Sequence, residues 1–340
     1  MERVTDRAPR ARVLRPHAGW YEGATLVVVA TWNLENLFRP NSDFGPKTEA
    51  VYDEKLDGLA AVIAAMKPDV LAVEEVGDPE ALSDLVARLD GDWHVETSTV
   101  FEPGHPIRVG FLSRLTIGSV EQVSAFPDKL NAVQVDDDGN TIATMPRGAL
   151  RVRVTTDGHD LDLVACHLKS KLLSFPGGRF DTDDEGERAR FGDYALARRA
   201  AEAVTVRGHT DTLLAHEGDA RAVVVLGDLN DEPLAATTQI LLGPPGSELG
   251  TAGFDRPDHG DQMRLWNLAP KLPEGRQFTR RFRGRGELID HILVSHILAN
   301  ALVDVDTADV TLPSITENPT ERRAAPASDH APVVARFNLP

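Results

Sequence analysis

The sequence predicts an α/β (α+β) protein built as a sandwich of two sheets with helices on the outside. Short, continuous runs of β-branched and other apolar residues recur along the chain and are typical of buried strands. Two longer segments carry apolar residues at helical spacing. Several of the strands are separated only by turns, which departs from strict βαβ alternation and favours two packed sheets.

The predicted elements follow from these runs. The strands are Thr25–Thr31, Val70–Val73, Val109–Leu112, Leu150–Val154, Leu161–Cys166, Ala222–Leu226, Leu288–Val294 and Val333–Phe337. One helix covers Asp53–Met66 and ends before Pro68, and a second covers Arg188–Val206. The residues expected to face inward from these helices are Leu56, Leu59, Ala60 and Ile63, and then Leu196, Ala200, Ala203 and Val204.

The organisation predicts one catalytic domain over residues 24–340, preceded by a loosely ordered leader over residues 1–23. Two polar loops, Ser174–Glu187 and Pro313–Ala327, are long enough to be functional. Met1–Trp20 is charged and lacks a hydrophobic core segment, and no apolar run is long enough for a membrane helix. We therefore expect a cytoplasmic monomer without a membrane span, with a secreted mature form as the alternative.

Composition limits the class of function. With 53 acidic and 36 basic residues, the formal charge is −17, so the surface as a whole repels a polyanion. This disfavours a general nucleic-acid coat protein but allows an enzyme that meets phosphates at one local site, where cations reverse the field. Cys166 is the only cysteine, so no intramolecular disulfide can form.

Polar and ionisable residues lie where the apolar strands end. These segments are Trp32-Asn33-Leu34-Glu35-Asn36, Glu74-Glu75, His167-Leu168-Lys169-Ser170, Gly227-Asp228-Leu229-Asn230-Asp231, Asp290-His291 and Ser328-Asp329-His330. Each segment alone is more simply a turn, a helix cap or a solvated loop. Together they offer carboxylates and asparagine amides, which suit Mg²⁺ or Mn²⁺, and two histidines for proton transfer in phosphoester cleavage.

These motifs resemble those of the endonuclease/exonuclease/phosphatase superfamily. WNLEN, EEV, HLKSK, GDLND, IDHILVS and SDHAP occur in its order and rough spacing, over about residues 26–337. The resemblance implies a four-layer α/β/β/α sandwich of two mostly antiparallel, mixed sheets flanked by helices. It also implies a divalent-metal-dependent phosphodiesterase that uses Mg²⁺ or Mn²⁺, with Ca²⁺ as an alternative second ion.

The resemblance also implies roles for individual residues. Asn33 and Glu75 hold the metal, Asp329 ligates it or orients His330, and Glu74 lies where the family commonly has Gln. Asp228 orients or deprotonates the attacking water, and Asn230 steadies that water or the phosphate. His167 and His330 face the phosphate, with Asp290 as the carboxylate partner of His167 or a neighbour of the metal.

The substrate is the least determined part of the prediction. Arg281 and Arg283, in a stretch that also holds Arg276, Arg280 and Arg285, suit phosphate recognition, although surface salt bridges would explain them equally well. Lys169, with Lys171 and Arg179 in the next loop, is expected to line the other wall of the groove. A nuclease acting on DNA is the favoured hypothesis; a phosphodiesterase or phosphatase acting on a lipid headgroup, inositol phosphate or nucleotide, and an inactive binding module, are the alternatives.

Overall fold

The computed structural model describes residues 25–339, apart from residues 41, 103, 243–247, 317, 319–321, 323 and 324. The predicted leader, residues 1–23, lies outside the described residues. That residues 24–340 form one domain stays a prediction. In the described part of the chain, no helix is long and apolar enough to cross a bilayer.

Two six-stranded sheets form the centre of the protein. In chain order the strands of the first are β1 (Thr25–Leu37), β2 (Val70–Val76), β3 (His94–Thr97), β4 (Arg108–Ser113), β15 (Leu302–Thr307) and β17 (Val333–Leu339). The strands of the second are β5 (Ile117–Ala125), β8 (Thr144–Thr156), β9 (His159–His167), β10 (Ala222–Asp228), β11 (Trp266–Asn267) and β14 (Asp290–Val294). Two smaller sheets contain β6 (Val133–Gln134) and β7 (Thr141–Ile142), and β12 (Arg280–Phe282), β13 (Arg285–Glu287) and β16 (Ser314–Ile315).

The strand order places one parallel pair inside each large sheet. The orders are β15-β17-β1-β2-β4-β3 and β11-β14-β10-β9-β8-β5. In them β1 and β2 run parallel, as do β9 and β10, and the other neighbours are antiparallel. The predicted mixed and mostly antiparallel sheets are therefore confirmed. Because these pairs are parallel, the carboxyl ends of β1 and β2 meet at one edge, as do those of β9 and β10. A hydrogen bond between Asn33 and Asp228 shows that both edges lie at the same end of the sandwich.

Five α-helices are described, namely α1 (Glu49–Met66), α2 (Pro79–Val86), α3 (Glu185–Leu214), α4 (Ala236–Leu242) and α5 (His296–Ala301), and two short 3-10 helices cover His259–Gln262 and Ala269–Lys271. The residues between the two sheets form the central core, which includes Phe111 from the first sheet and Leu163 and Leu226 from the second. Leu59 and Ile63 of α1 bury the outer face of the first sheet, and α3 buries that of the second. These three cores between four layers confirm the α/β/β/α sandwich.

The inward face of the second helix differs from the prediction. Leu196 is 46% exposed, while Arg199 and Glu202 of α3 are buried. The Arg199 guanidinium pairs with Asp231, which follows β10, and the Glu202 carboxylate pairs with Arg198 one turn earlier in α3. The buried face of α3 is therefore partly ionic. Of the four residues predicted to face inward, Ala203 is fully buried and Ala200 and Val204 are partly buried, so the prediction was wrong for Leu196 alone.

Gly227 brings two strands unusually close together beside the predicted site. Its φ of 135° lies outside the range that L side chains readily adopt, and a Cβ here would lie 2.0 Å from the Cys166 carbonyl oxygen. Only glycine allows this approach of β10 to β9. The glycine of the GDLND motif thus serves the alignment of Asp228 with His167, which are register partners.

Candidate active site

Asn33 connects the two large sheets through its side-chain amide. Its Nδ2 donates to Glu75 Oε1 at 3.0 Å and to Asp228 Oδ2 at 3.1 Å. Its Oδ1 accepts from the Glu35 backbone N–H at 2.9 Å. The expected proximity of Asn33 and Glu75 is therefore present. In this arrangement the Asn33 amide orients both carboxylates, and direct ligation of a metal by Asn33 stays a prediction.

Strained backbone is concentrated around this contact. Glu35, Asn36, Glu75 and Asn230 have φ between 51° and 60°, the left-handed region that non-glycine residues seldom occupy. The turn at Asn36 directs its backbone N–H to Glu75 Oε2 at 2.9 Å. Such conformations persist where surrounding contacts fix them, and they are frequent at functional sites.

His167 lies at the end of β9 and is almost fully buried. Its Nε2 is 3.5 Å from Asp228 Oδ2, 4.0 Å from Glu75 Oε1 and 2.7 Å from Arg147 Nη1. Burial, together with the charge of Arg147, holds the pKa of His167 well below the usual histidine value. His167 is therefore neutral, and because a guanidinium can only donate, its Nε2 accepts from Arg147.

His330 differs from the neutral His167 in its protonation state. Its Nδ1 lies 2.8 Å from Asp290 Oδ2. Burial alone would lower the pKa of His330, but the charges of Asp290 and Asp329 outweigh burial and raise that pKa well above the usual value. The position of His330 is fixed through its backbone, since the His330 N–H donates to Ser328 Oγ at 3.0 Å and its carbonyl accepts from Trp32 Nε1 at 2.8 Å.

The expectation that Asp290 is the partner of His167 was wrong, because Asp290 pairs with His330. Asp228 of β10 is in register with His167 on one side and with Asp290 of β14 on the other. Asp290 is thus two strand spacings from His167, roughly 10 Å. The sequence gives no strand order, so it could not separate the two histidines as partners of this carboxylate.

Asp228 is the central carboxylate of the cluster. Its Oδ1 accepts from the Asn230 backbone N–H at 2.8 Å. Burial and then the charge of Asp290 raise the pKa of Asp228 to about 7. Asn230 is also buried, and its Nδ2 donates to the Leu168 carbonyl at 3.0 Å, which ties the GDLND turn to the residue after His167.

Glu74 points into the protein, while its neighbour Glu75 points into the site. Glu74 is fully buried, and its Oε1 accepts from Thr31 Oγ1 at 2.9 Å. Burial raises the pKa of Glu74 well above the usual value, with the charge of Asp290 adding to the effect. Glu74 is therefore a neutral acid, similar in shape and charge to the Gln that the family commonly has there.

A buried lysine supports the Glu35–Asn36 turn from helix α1. Lys55 Nζ donates to the Glu35 carbonyl. Glu35 itself forms a bidentate ion pair with Arg322, at 2.7 and 3.0 Å. Burial lowers the pKa of Lys55, and the negative charges of Glu35, Asp329 and Glu75 oppose this effect. Lys55 therefore brings an amino group from helix α1 close to the acidic residues of the site.

The basic residues after β9 that were expected to bind substrate are engaged in contacts within the protein. Lys169 Nζ donates to the Leu172 carbonyl at 2.9 Å, and burial lowers the pKa of Lys169 to about 7, with the charge of Arg147 adding to the effect. Lys171 pairs with Asp231 at 3.0 Å, and Arg179 with Glu187 at 2.7 Å. These pairs fix the loop after β9.

Of the two arginines in β12, Arg280 rather than Arg281 acts on the Asp228 carboxylate. Arg280 forms a β-bridge with His330, and its charge lowers the pKa of Asp228 against the larger effect of burial. Arg281, the next residue of β12, lines a neighbouring cavity, and Arg283 lies at the exposed hairpin turn. Binding of substrate by Arg281 and Arg283 stays a prediction.

The donor groups fit a hard divalent cation. Among the described residues, atoms of Asp228, Asp290 and His330 lie within 4.8 Å of one another, but His330, as an imidazolium bonded to Asp290, has no lone pair for a metal, so the carboxylates are the ligands on offer. In the same part of the chain, the buried Asp290 Oδ1 has no hydrogen-bond partner. Since Glu75 and Asp228 also converge on Asn33, carboxylate oxygens predominate, as Mg²⁺ and Mn²⁺ prefer.

Sequence reasoning missed Arg147 and Lys55 and gave Arg280 no particular weight. Arg147 lies in β8 just before the predicted strand Leu150–Val154, and Lys55 lies in α1 next to the apolar Leu56. Neither position carries a local signal, because both act through contacts with residues distant in sequence.

Comparisons with known proteins agree with this geometry. The family model of the Endonuclease/Exonuclease/phosphatase family matches residues 30–330. No curated protein matched the sequence. The fold is similar to a Beutenbergia cavernae endonuclease/exonuclease/phosphatase, with 19% identity, TM-score 0.52, and coverage of 92% of this chain and 72% of that chain.

Two eukaryotic structures share the fold as well. The human Nocturnin catalytic domain with bound sulfate has 15% identity and a TM-score of 0.54, covering 93% of this chain and 98% of that chain. Truncated Caenorhabditis elegans TDP2 has 16% identity and a TM-score of 0.52, covering 92% and 98%. At these identities the likeness concerns the fold alone, whereas the family model spans most of the chain. The chain therefore belongs to the endonuclease/exonuclease/phosphatase family and is a metal-dependent phosphoester hydrolase.

Proposed function

We propose that the protein is a nuclease that hydrolyses phosphodiester bonds, with DNA as the favoured substrate. The observation that carries this proposal is the distribution of cations around an acidic site. Arg280, which also pairs with Glu287, forms a β-bridge with His330, and Arg281 follows it. Arg147, which also pairs with Glu102, contacts His167, and Lys169 lies close to Arg147. On a chain of charge −17, such a local concentration of cations supports binding of a polyanion at this site.

The protonation states of Asp228 and His330 suit different roles in the hydrolysis. Asp228, with a pKa near 7, orients the attacking water and accepts its proton close to neutral pH. His330 is an imidazolium held by Asp290 and stabilises the negative charge that develops on the phosphoryl oxygens. His167 is neutral and faces the same phosphate, and Asn230 steadies the water or the phosphate.

Glu75, Asp329 and Asn33, with Asp228 beside them, would hold the cation, for which we propose Mg²⁺, with Mn²⁺ as a substitute and Ca²⁺ as an alternative second ion. When bound, the cation neutralises phosphate charge and favours ionised water near neutral pH. We give it this position rather than the Asp290–His330 pair, because that pair is joined by a hydrogen bond that a cation would disrupt.

A substrate panel with Mg²⁺ tests the proposal. It contains plasmid and single-stranded DNA, RNA, sphingomyelin, an inositol phosphate and bis-p-nitrophenyl phosphate. DNA should be hydrolysed with the highest kcat/KM, and its KM should rise steeply with salt, because phosphate contacts release counterions. Hydrolysis of a lipid or inositol phosphate in preference to all polynucleotides would overturn the nuclease assignment while leaving the phosphodiesterase reaction intact.

A further inference from the structure

A cavity of about 330 Å³ lies directly beside the candidate active site. Its lining includes Ala331, which follows His330 in sequence, and Arg281, which follows Arg280. Because successive strand residues point to opposite faces, Arg281 points away from the carboxylates that Arg280 acts on and toward this cavity. The volume is at the lower end of the range for small-molecule sites, enough for one nucleoside but not for a longer segment of nucleic acid.

Two arginines line the cavity, and their charges are compensated differently. Arg276 is paired with Asp306 at 3.1 Å and with Asp309 at 3.3 Å. Arg281 has no carboxylate partner among the residues that the structure describes, and its guanidinium lies 4.4 Å from the centroid of the Phe278 ring. Arg281 therefore offers this cavity a positive charge and a planar surface.

The hairpin of β12 and β13 holds this surface in place. Gly286 packs so close to Phe278 that a Cβ on it would lie 3.0 Å from Phe278 Cβ. Val310 and Leu312 line the cavity with apolar surface, and Thr311 adds a hydroxyl. A planar cation on an aromatic ring, with apolar walls, is suited to a flat, aromatic and anionic ligand.

We propose that this cavity binds the nucleoside next to the scissile phosphate, with its base against the Phe278–Arg281 pair and its phosphate beside the guanidinium. This proposal rests on the proposed function, since it places one part of a polynucleotide relative to the bond that is cleaved. It makes Phe278 and Arg281 determinants of substrate class. A free nucleotide carries the same chemistry, so it serves as the probe.

Binding to the metal-free protein in EDTA separates base recognition from simple charge. A nucleoside 5′-monophosphate, ribose 5-phosphate and inorganic phosphate are titrated by calorimetry into the wild type, Arg281→Ala and Arg285→Ala. Arg285 is the matched control, because it lies in the same hairpin but is exposed and outside the cavity lining. Phe278→Leu removes the aromatic face and keeps an apolar side chain at this position.

The nucleotide should bind the wild type more tightly than ribose 5-phosphate does. Arg281→Ala and Phe278→Leu should each weaken nucleotide binding by roughly tenfold, the order expected when a base loses one stacking partner. Arg285→Ala should weaken it by less than about threefold. Equal losses for Arg281→Ala and Arg285→Ala, or equal affinity for nucleotide and ribose 5-phosphate, would overturn the proposal.

Hydrolysis of bis-p-nitrophenyl phosphate by the wild type with Mg²⁺ is measured in parallel. A protein that hydrolyses this diester but does not prefer the nucleotide would overturn the cavity assignment and leave the phosphodiesterase in place. A protein that binds the nucleotide through Arg281 but hydrolyses no diester would overturn the proposed function, and with it the placement of the nucleoside beside a scissile bond.

Discussion

Glu74 and Glu75 are consecutive in sequence, yet their carboxyl groups lie in opposite environments. Glu74 is fully buried and accepts a hydrogen bond from Thr31, whereas Glu75 accepts from the Asn33 amide and the Asn36 backbone N–H. Adjacent strand residues point to opposite faces, and the left-handed conformation of Glu75 redirects the chain further. The two residues therefore make a matched pair for mutation.

Glu74→Gln should keep turnover within about threefold of the wild type, because Glu74 is already neutral and Gln has the same shape. Glu75→Gln should lower turnover by at least about a hundredfold, because the ligand charge is lost. Turnover and melting temperature are measured on both variants. A Glu74→Gln variant as inactive as Glu75→Gln would contradict the neutral state of Glu74.

The buried His330–Asp290 pair allows structure and catalysis to be separated. His330→Ala should lower stability by about 3–5 kcal/mol, because it leaves the Asp290 carboxylate buried without its partner. It should also lower turnover by on the order of a hundredfold or more. Adding Asp290→Asn removes the isolated charge, so the double variant should recover most of the melting temperature.

Turnover of the double variant should stay low, because no imidazolium faces the phosphate. Recovery of both turnover and melting temperature would assign His330 a structural role only. His167→Ala should also lower turnover, and the losses of the His167 and His330 variants should be less than additive, since both act on one transition state.

Lys55 is expected to act as a positioning residue for the metal ligands. Lys55→Met keeps the length of the side chain but removes the donor to the Glu35 carbonyl, so the turn that aligns Asn36 with Glu75 should loosen. The Mg²⁺ concentration for half-maximal activity should rise by about tenfold, as for other residues that orient metal ligands. The melting temperature should fall modestly, because the buried Glu35 carbonyl loses its donor.

Lys47→Met is the matched control for Lys55, because Lys47 is exposed just before α1. Its Mg²⁺ requirement should equal that of the wild type. An unchanged Mg²⁺ requirement in Lys55→Met would mean that Lys55 supports packing without affecting the site.

Lys169 should make substrate binding depend on pH. Because its pKa is lowered to about 7, Lys169 is a cation at pH 6 and largely neutral at pH 8. Lys169→Met should therefore weaken binding of a polynucleotide in EDTA several-fold at pH 6 and much less at pH 8. Fluorescence anisotropy at both pH values measures this, and a wild-type-to-variant ratio that does not change with pH would contradict it.

The sequence predicted the central strands and the motif residues because both carry a local signal. Apolar runs such as Ala222–Leu226 identify buried strands without any knowledge of their partners. The polar residues that follow them share an edge because β1 and β2, and likewise β9 and β10, run parallel. The edge strands β3, β5, β11 and β15 and the short strands β6, β7, β12, β13 and β16 lack continuous apolar runs, and for that reason they were missed.

The remaining differences between the sequence prediction and the structure arise from strand order and from ionic contacts. Assigning Asp290 to His330 required the order of β9, β10 and β14, which a single sequence does not contain. Leu196 was placed inward because spacing treats charged residues as exposed, whereas Arg199 and Glu202 form the buried pairs of α3. Arg147 contacts His167 across neighbouring strands, and nothing near it in sequence indicates that contact.

The most direct test of a metal-dependent hydrolase built on these residues is a Mg²⁺ titration of bis-p-nitrophenyl phosphate hydrolysis by the wild type and Glu75→Gln. This artificial diester reports on the reaction whichever natural substrate the protein has. Wild-type activity should be absent in EDTA and should saturate with Mg²⁺, and Glu75→Gln should lose nearly all of it at every concentration. Activity that persists in EDTA, or a Glu75→Gln variant with an unchanged Mg²⁺ dependence, would contradict a metal centre at Glu75.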